Sequence, residues 1–420
     1  MREEFLHFIW DQQLYNTSNL VTASGDEVIV DDTGYLNKLS GPDFHEAKVK
    51  IGETLWAGSV EIHVKSSDWF KHNHEPDNAY GNVILHVVYE HDIIADGFYE
   101  IPVLELKGRI TRKTIEKFET LKASKSKIPC ESLIREVPQR IKAAQLKNSA
   151  VDRLKTKVAE IQRNHKQNRG DTDITFYRTL LKAFGFKANT LAFDELAVRT
   201  PFYIVKKCAH VKGMLEALFI GQAGMFPANP RDQYQEKLLS DYTFLKTKYG
   251  LQPGSSAAWK TGGVRPGNQP VLRLAQLAAL FESNPNISSE VYKSDPNILK
   301  QMFAVELNPY WDERFTLQKV AQKSTAKKLN EKAVENIIIN TIAPFLYFMG
   351  DKRDRPELKE KAMDLLVNTK PENSSEIKNW KSLGLHFSSA LETQGALQLK
   401  KDYCTKVKCL HCEIGKYIVG

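Results

Sequence analysis

The spacing of the apolar residues changes once along this chain, near residue 110, and that change rules out any fold built from one kind of element. From Glu27 to about Val103, short β-branched and aromatic runs alternate with Gly, Asp, Asn and Pro, the texture of strands and turns. Beyond about Thr111 the apolar residues recur at helical spacing to the end. The expectation is an α+β chain: a mixed-sheet α/β core over residues 1–110, then a mainly helical region over 111–420. Within the core, Phe5, Phe8, Ile9 and Leu14 fall on one side of an opening helix. Ala47–Ile51 and Ser59–Lys65, joined through Gly52-Glu53 and Leu55-Trp56, read as a hairpin. Val83–Tyr89 is almost continuously apolar, as a central strand covered on both faces would be.

A length of 420 residues fits two or three domains. The N-terminus carries acids where a secretion signal needs basic and then apolar residues, and no run of about 20 uninterrupted apolar residues stands out. A cytoplasmic protein with no membrane partner is therefore expected. Five cysteines, an odd number and mostly far apart, do not form a disulfide framework.

The chemistry concentrates between Gly41 and Asp92. Strand alternation sends Val60, Ile62 and Val64 to one face and Glu61, His63 and Lys65 to the other. Antiparallel pairing about Gly52-Glu53 sets residue 43 opposite about residue 62, which brings Asp43 beside Glu61. Two adjacent carboxylates repel unless a cation or a shared proton relieves them, and Mg²⁺ or Mn²⁺ on hard oxygen ligands is the usual solution in phosphoryl-transfer sites. Lys65 or His63 would then orient the attacking water or the scissile phosphate.

Pro42-Asp43 followed after 17 residues by Glu61-Ile62-His63 resembles the PD-(D/E)xK nuclease superfamily. The resemblance implies a helix followed by a mixed sheet, Asp43 and Glu61 as metal ligands, His63 in the lysine position, and Glu3 or Glu4 as an additional acid. Histidine binds its proton several pH units less tightly than lysine, so catalysis through His63 would depend strongly on pH. The longer string Gly41-Pro-Asp-Phe44, Gly58-Ser-Val-Glu-Ile-His63, Ser67-Asp-Trp69, His72-Asn-His74, Tyr80 and Leu85-His-Val-Val88 also resembles a bacterial family catalogued as a domain of unknown function, over most of the chain.

Seven of the eleven histidines lie within the first 91 residues. His72 and His74, completed by Asp68 or Asp77, could ligate a transition metal, which leaves a histidine-based metallohydrolase as an alternative. His86, inside an apolar strand, reads as a hydrogen-bonded core histidine unless its strand end opens on the same cleft.

At the other end, Cys404, Cys409 and Cys412 are spaced C-x4-C-x2-C. Zinc would need a fourth ligand from His411, Cys130 or Cys208; an iron–sulfur cluster would use Cys130 with the three. The latter resembles nucleases of the same superfamily that staple their domain with a cluster, although there the distant cysteine precedes the nuclease motif. Ordinary thiols are the remaining reading.

The net charge of +8 sits in one segment: residues 107–169 hold 18 Lys/Arg against 6 Asp/Glu, and the rest of the chain 41 against 45. A solvated helical face would account for it, but beside an acidic metal site a polyanion is the expected partner, DNA ahead of RNA, with Arg153 and Lys155 on phosphates. Arg265 and Arg273, around a Pro/Gly turn, are further candidates for gripping a backbone or for pairing with nearby carboxylates. The sequence expectation is thus a divalent-metal-dependent nuclease, with a catalytically inactive nucleic-acid-binding or assembly protein on the same fold as the alternative.

Overall fold

The computed structural model describes residues 1–71, 78–93, 101–293 and 295–420. The chain separates into two compact units, one formed by Met1–Gln145 with Leu399–Gly420 and the other by Leu146–Gln398. The first is α+β and the second is helical. The first therefore takes in more of the chain than the sheet-forming residues alone, including the last 22 residues.

The first unit opens with α1 (Glu3–Asp11), whose Phe5, Leu6, Phe8, Ile9 and Trp10 are all buried. A mixed sheet follows: β1 (Val28–Asp32), β2 (Tyr35–Leu36), β3 (Phe44–Ile51), β4 (Thr54–Lys65), β5 (Val83–Glu90) and β6 (Val103–Glu105). The order is β1-β3-β4-β5-β6, with β2 also on β3. The β3–β4 pair is the antiparallel hairpin, whereas β5 runs parallel to β4 and to β6. β5 is central and buried from Val83 to Val88, as its unbroken apolar run requires.

Helix α2 (Asp68–Lys71) follows β4, α3 (Arg112–Ala123) follows the sheet, and α4 (Gln139–Gln167) contains the division between the units. Phe118 of α3 stacks on Phe5 of α1 at 4.4 Å between ring centroids, and Lys122 reaches Glu4 at 3.1 Å. The C-terminal helix Glu413–Val419 belongs to this unit, and the Glu413 backbone N–H donates to Gln145 Oε1 at 2.7 Å.

The hairpin departs from ideal pairing at one place. Ile51 faces Thr54 and Ala47 faces Gly58, but Phe44 faces Val60, so a β-bulge lies between Phe44 and Ala47. Within it Glu46 has φ +60°. Gly34, at φ +83°, closes on the bulge so tightly that a Cβ there would lie 2.4 Å from the His45 carbonyl oxygen. The bulge shifts the register by one residue, so Asp43, just before β3, falls opposite Glu61 rather than Ile62, and each carboxylate reaches a backbone N–H of the other segment.

The second unit has one large apolar core that includes Phe176, Phe193, Phe219, Phe281, Trp311 and Phe345. Glu331–Arg353 is long and apolar enough to cross a membrane, but 78% of that window is buried inside the protein, as in a core helix.

Candidate active site

Asp43 is tied to the Glu61-Ile62 stretch of β4 by two backbone-to-carboxylate bonds. The Asp43 N–H donates to Glu61 Oε2 at 3.0 Å, and the Ile62 N–H donates to Asp43 Oδ2 at 3.0 Å. The loop before β3 is pinned from behind by Asn37, whose Nδ2 donates to the Ser40 and Pro42 carbonyls at 3.0 Å each and whose N–H donates to the Asp43 carbonyl at 2.7 Å. Asp43 is thereby fixed by the Ile62 and Asn37 backbone N–H groups and by the Glu61 carboxylate.

The polar face of β4 is not open to solvent. Glu61 is 4% exposed and His63 1%, so β4 is buried on both faces over this stretch, whereas alternation alone suggested a polar outer face. Burial, and next the charge of Asp43, push Glu61 up to about 8, against the opposing Asp43 N–H bond; Glu3 on α1 raises it further. Glu3 is thus the helix acid that the site feels, since Glu4 turns to Lys122.

His7, one turn after Glu3, places Nε2 3.1 Å from Asp43 Oδ2. That nitrogen is buried and the contact lacks hydrogen-bond geometry, so proximity here is not a made bond. His63 Nε2 lies 3.6 Å from Glu61 Oε1. His63 Nδ1 and His86 Nε2 are 2.9 Å apart, which requires one of the two nitrogens to carry a proton and the other to accept. His86 is fully buried, so it is the core histidine expected from its strand and, at the same time, the partner of His63. Trp69 of α2 packs against both rings, at 5.1 Å from His86 and 6.4 Å from His63.

Lys65 engages a different group of acids: its Nζ is 3.4 Å from Asp92 Oδ2 and 3.9 Å from Glu90 Oε2. Asp92 also receives the Ser66 and Ser67 hydroxyls and the Ser67 N–H, and these bonds bring its carboxyl down to about 2 despite the opposing desolvation. Lys65 therefore serves the strand end. His72, His74 and Asp77 lie outside the described residues, and Asp68 is bonded to Lys71 at 2.7 Å.

The proposed phosphate contacts separate sharply. Arg265 and Lys155 are exposed. Arg153 gives Nε to Gln394 Oε1 at 2.6 Å. Arg273 is 2% exposed, donates to Gln276 Oε1 at 2.8 Å and to Asn268, and lies 4.3 Å over the Phe186 ring. It is a core arginine of the helical unit and not a grip for a nucleic-acid backbone; its place on an apolar helix face was the sign. A separate cavity of about 410 Å³ in the helical unit is lined by Lys157, Lys182, Asn336 and Asn340 among others, but its lining includes no paired carboxylates.

Among the described residues, no group of three or more His, Cys, Asp or Glu side chains forms a ready-made cage for a metal ion. What the first unit offers is a pair of hard oxygen donors, Asp43 and Glu61, with histidines on either side. Such a pair suits Mg²⁺ or Mn²⁺, which keep several water ligands and need few from the protein. A family model described as a protein of unknown function (DUF2851) matches residues 3–375. No curated protein and no solved structure matches the chain.

Proposed function

Starting from a chain that belongs to the DUF2851 family of proteins of unknown function, we propose that its N-terminal unit is a divalent-metal-dependent nuclease of PD-(D/E)xK type. The observation that carries this reading is the pair of backbone-to-carboxylate bonds between Asp43 and the Glu61-Ile62 stretch, which holds two carboxylates together although burial and mutual repulsion push Glu61 up to about 8. A protein gains nothing in stability from that arrangement; a divalent cation relieves it. The order helix, hairpin and parallel strand also agrees with the resemblance.

Asp43 and Glu61 would hold Mg²⁺ or Mn²⁺, which lowers the pKa of a bound water and offsets charge growing on the phosphate. His63 takes the place of the lysine. Its Nε2 faces Glu61 and its Nδ1 is tied to His86, so it can accept the proton of the attacking water. The water oxygen forms the new bond to phosphorus as the leaving oxygen departs. The basic segment 107–169 supplies sequence-independent attraction for the polyanion.

The test is cleavage of single-stranded and duplex DNA and of RNA with Mg²⁺ or Mn²⁺ between pH 6 and 9, for the natural chain and for Asp43→Asn and Glu61→Gln. Activity lost by about 100-fold or more in both variants supports the reading. Intact substrates under every condition, or cleavage that survives both substitutions, overturns it; nucleic acid bound without metal and without cleavage would instead mark an inactive binding protein.

A further inference from the structure

The cavity of about 410 Å³ lies wholly within the second unit and is built from helix faces. Lys157, Glu160, Ile161 and Asn164 of α4 line it, and their i, i+3, i+4, i+7 spacing makes them one stripe of that helix. Thr179 and Lys182 come from α5 (Thr172–Phe184), and Asn340 from the π-helical turn Ile338–Ile342. A stripe at this spacing that faces neighbouring helices is ordinarily apolar, because burying it supplies the packing energy. On α4 only Ile161 of the four is apolar, so the helices enclose a polar space where a packed seam would be expected.

Lys157 dominates the chemistry of that space. Its Nζ donates to Asn340 Oδ1 and Gln394 Oε1 at 2.8 Å each and to the Ile339 carbonyl at 3.3 Å. All three acceptors are neutral, so they orient the ammonium without cancelling its charge. Desolvation, and next the Arg153 charge, lower its pKa to about 7, and an anion in the cavity would restore the charged form. Ile339 and Asn340 both belong to the π-helical turn, a distortion found most often at functional sites. Lys182 is paired with Glu160 at 2.5 Å, and Lys187 is exposed. Phe186 and Lys187, which both line the cavity, are consecutive non-glycine residues at φ +41° and +71°, a costly backbone that persists only where its surroundings hold it.

The size and charge together select a ligand class. Sites for small molecules span roughly 300–1,000 Å³, and this cavity falls in that range. Its ionisable lining is Lys157, Lys182 and Lys187 against Glu160, three positive charges less one negative, a surplus of two. A phosphate monoester carries about −1.5 to −2 near pH 7 and matches that surplus, whereas one carboxylate would leave half of it unmet. Lysine ammoniums, as point charges, suit phosphate oxygens. We infer that this cavity binds a small phosphorylated molecule, its phosphate held by Lys157, Lys182 and Lys187 and its uncharged part set against the Asn164 and Asn336 amides. Neither Asp43 nor Glu61 belongs to this unit, so the inference does not rest on the nuclease reading.

The test uses the full chain with EDTA present, so that the acidic site of the first unit takes up no metal, and titrates AMP, adenosine and inorganic phosphate by calorimetry at constant ionic strength. AMP is expected to bind with a Kd below about 1 mM, and about tenfold or more tighter than adenosine, which lacks the charged hydrogen bonds. Inorganic phosphate should compete with AMP, and hydrogen exchange should slow over 157–164, 179–187 and 336–341. Lys157→Met should weaken AMP binding about tenfold or more. Because it leaves Asn340 and Gln394 without their donor and could fail to fold, Lys187→Glu is the second variant. At its exposed position it should leave melting unchanged and weaken AMP binding about fivefold. No binding of either AMP or inorganic phosphate, adenosine bound as tightly as AMP, exchange protection confined to other segments, or AMP binding unaltered in Lys187→Glu each overturns the inference.

Discussion

Replacing Glu61 by Gln removes the charge from the most strained position of the acidic site while keeping its shape and an oxygen for the Asp43 N–H. In the natural chain burial and Asp43 raise the Glu61 pKa from 4.5 to about 8. Between those values the unfolded chain has lost a proton that the folded chain keeps, so metal-free stability falls as pH rises, by about 1.4 kcal/mol per pH unit. The effect is complete below pH 4.5, where both states are protonated, and is lost by the time pH passes 8. Its ceiling is roughly 5 kcal/mol, 3.5 pH units at that slope. Glu61→Gln has no such dependence. With EDTA present, hydrogen exchange of the β4 and β5 amides should show the variant gaining on the natural chain from pH 5 to 8 and holding a constant advantage above that. Saturating Mn²⁺ should stabilise the natural chain above pH 8 and leave the variant nearly unmoved. Parallel pH curves for the two proteins would refute the argument, since they would mean that Glu61 ionises as an ordinary carboxylate.

Mn²⁺ binding at pH 6.5 should release close to one proton from Glu61, seen in calorimetry as a heat that varies with the buffer's ionisation enthalpy, and apparent affinity should fall about tenfold per pH unit below 8; equal heats in all buffers would contradict this. Gly34→Ala forces a Cβ against the His45 carbonyl at a φ of +83°, so it should destabilise the first unit by about 2–4 kcal/mol in denaturant melts and weaken Mn²⁺ binding by disturbing the bulge that brings Asp43 to Glu61. Arg273→Met should cost the helical unit about 2–4 kcal/mol, because Gln276 and Asn268 lose a buried partner, with no change in the salt dependence of DNA binding. Arg265→Ala, at an exposed position, should leave melting unchanged within about 0.5 kcal/mol.

The hairpin, the central strand and the helical remainder could be read from the sequence because each rests on periodicity. Ala47–Ile51 alternates, Val83–Val88 does not, and the structure turns these into a paired strand and a strand buried on both faces. The meeting of Asp43 with Glu61 could be read to within one residue; the bulge at His45-Glu46 supplied the rest, and a non-glycine residue at positive φ leaves no sequence signal. Lys65 shows the limit of alternation as a guide, since lying on one face of a strand did not join it to Glu61 when Asp92 and Glu90 stood nearer its ammonium. His7 was missed although it follows Glu3 by one helical turn, because one helix alone does not say which strand its polar side meets.

On the proposed reading, a histidine at the position where the resemblance implies a lysine fits the burial of this site. A lysine at a position only 1% exposed would need a permanent buried counter-charge. It would also stabilise the Glu61 carboxylate, and so weaken the coupling between proton and metal that burial creates. His63 shares a hydrogen bond with His86 at 2.9 Å, and burial favours the protonated form of Glu61 beside them. Without metal the acidic patch then carries fewer net charges than its residues suggest, which is how two or three carboxylates can be enclosed between α1 and β4. On the proposed reading a bound divalent ion would displace the Glu61 proton and be shared by both carboxylates. By the same reading the buried histidine pair would belong to the same device as the carboxylates, with His63, bonded to His86 and 3.6 Å from Glu61, as the proton acceptor for an attacking water.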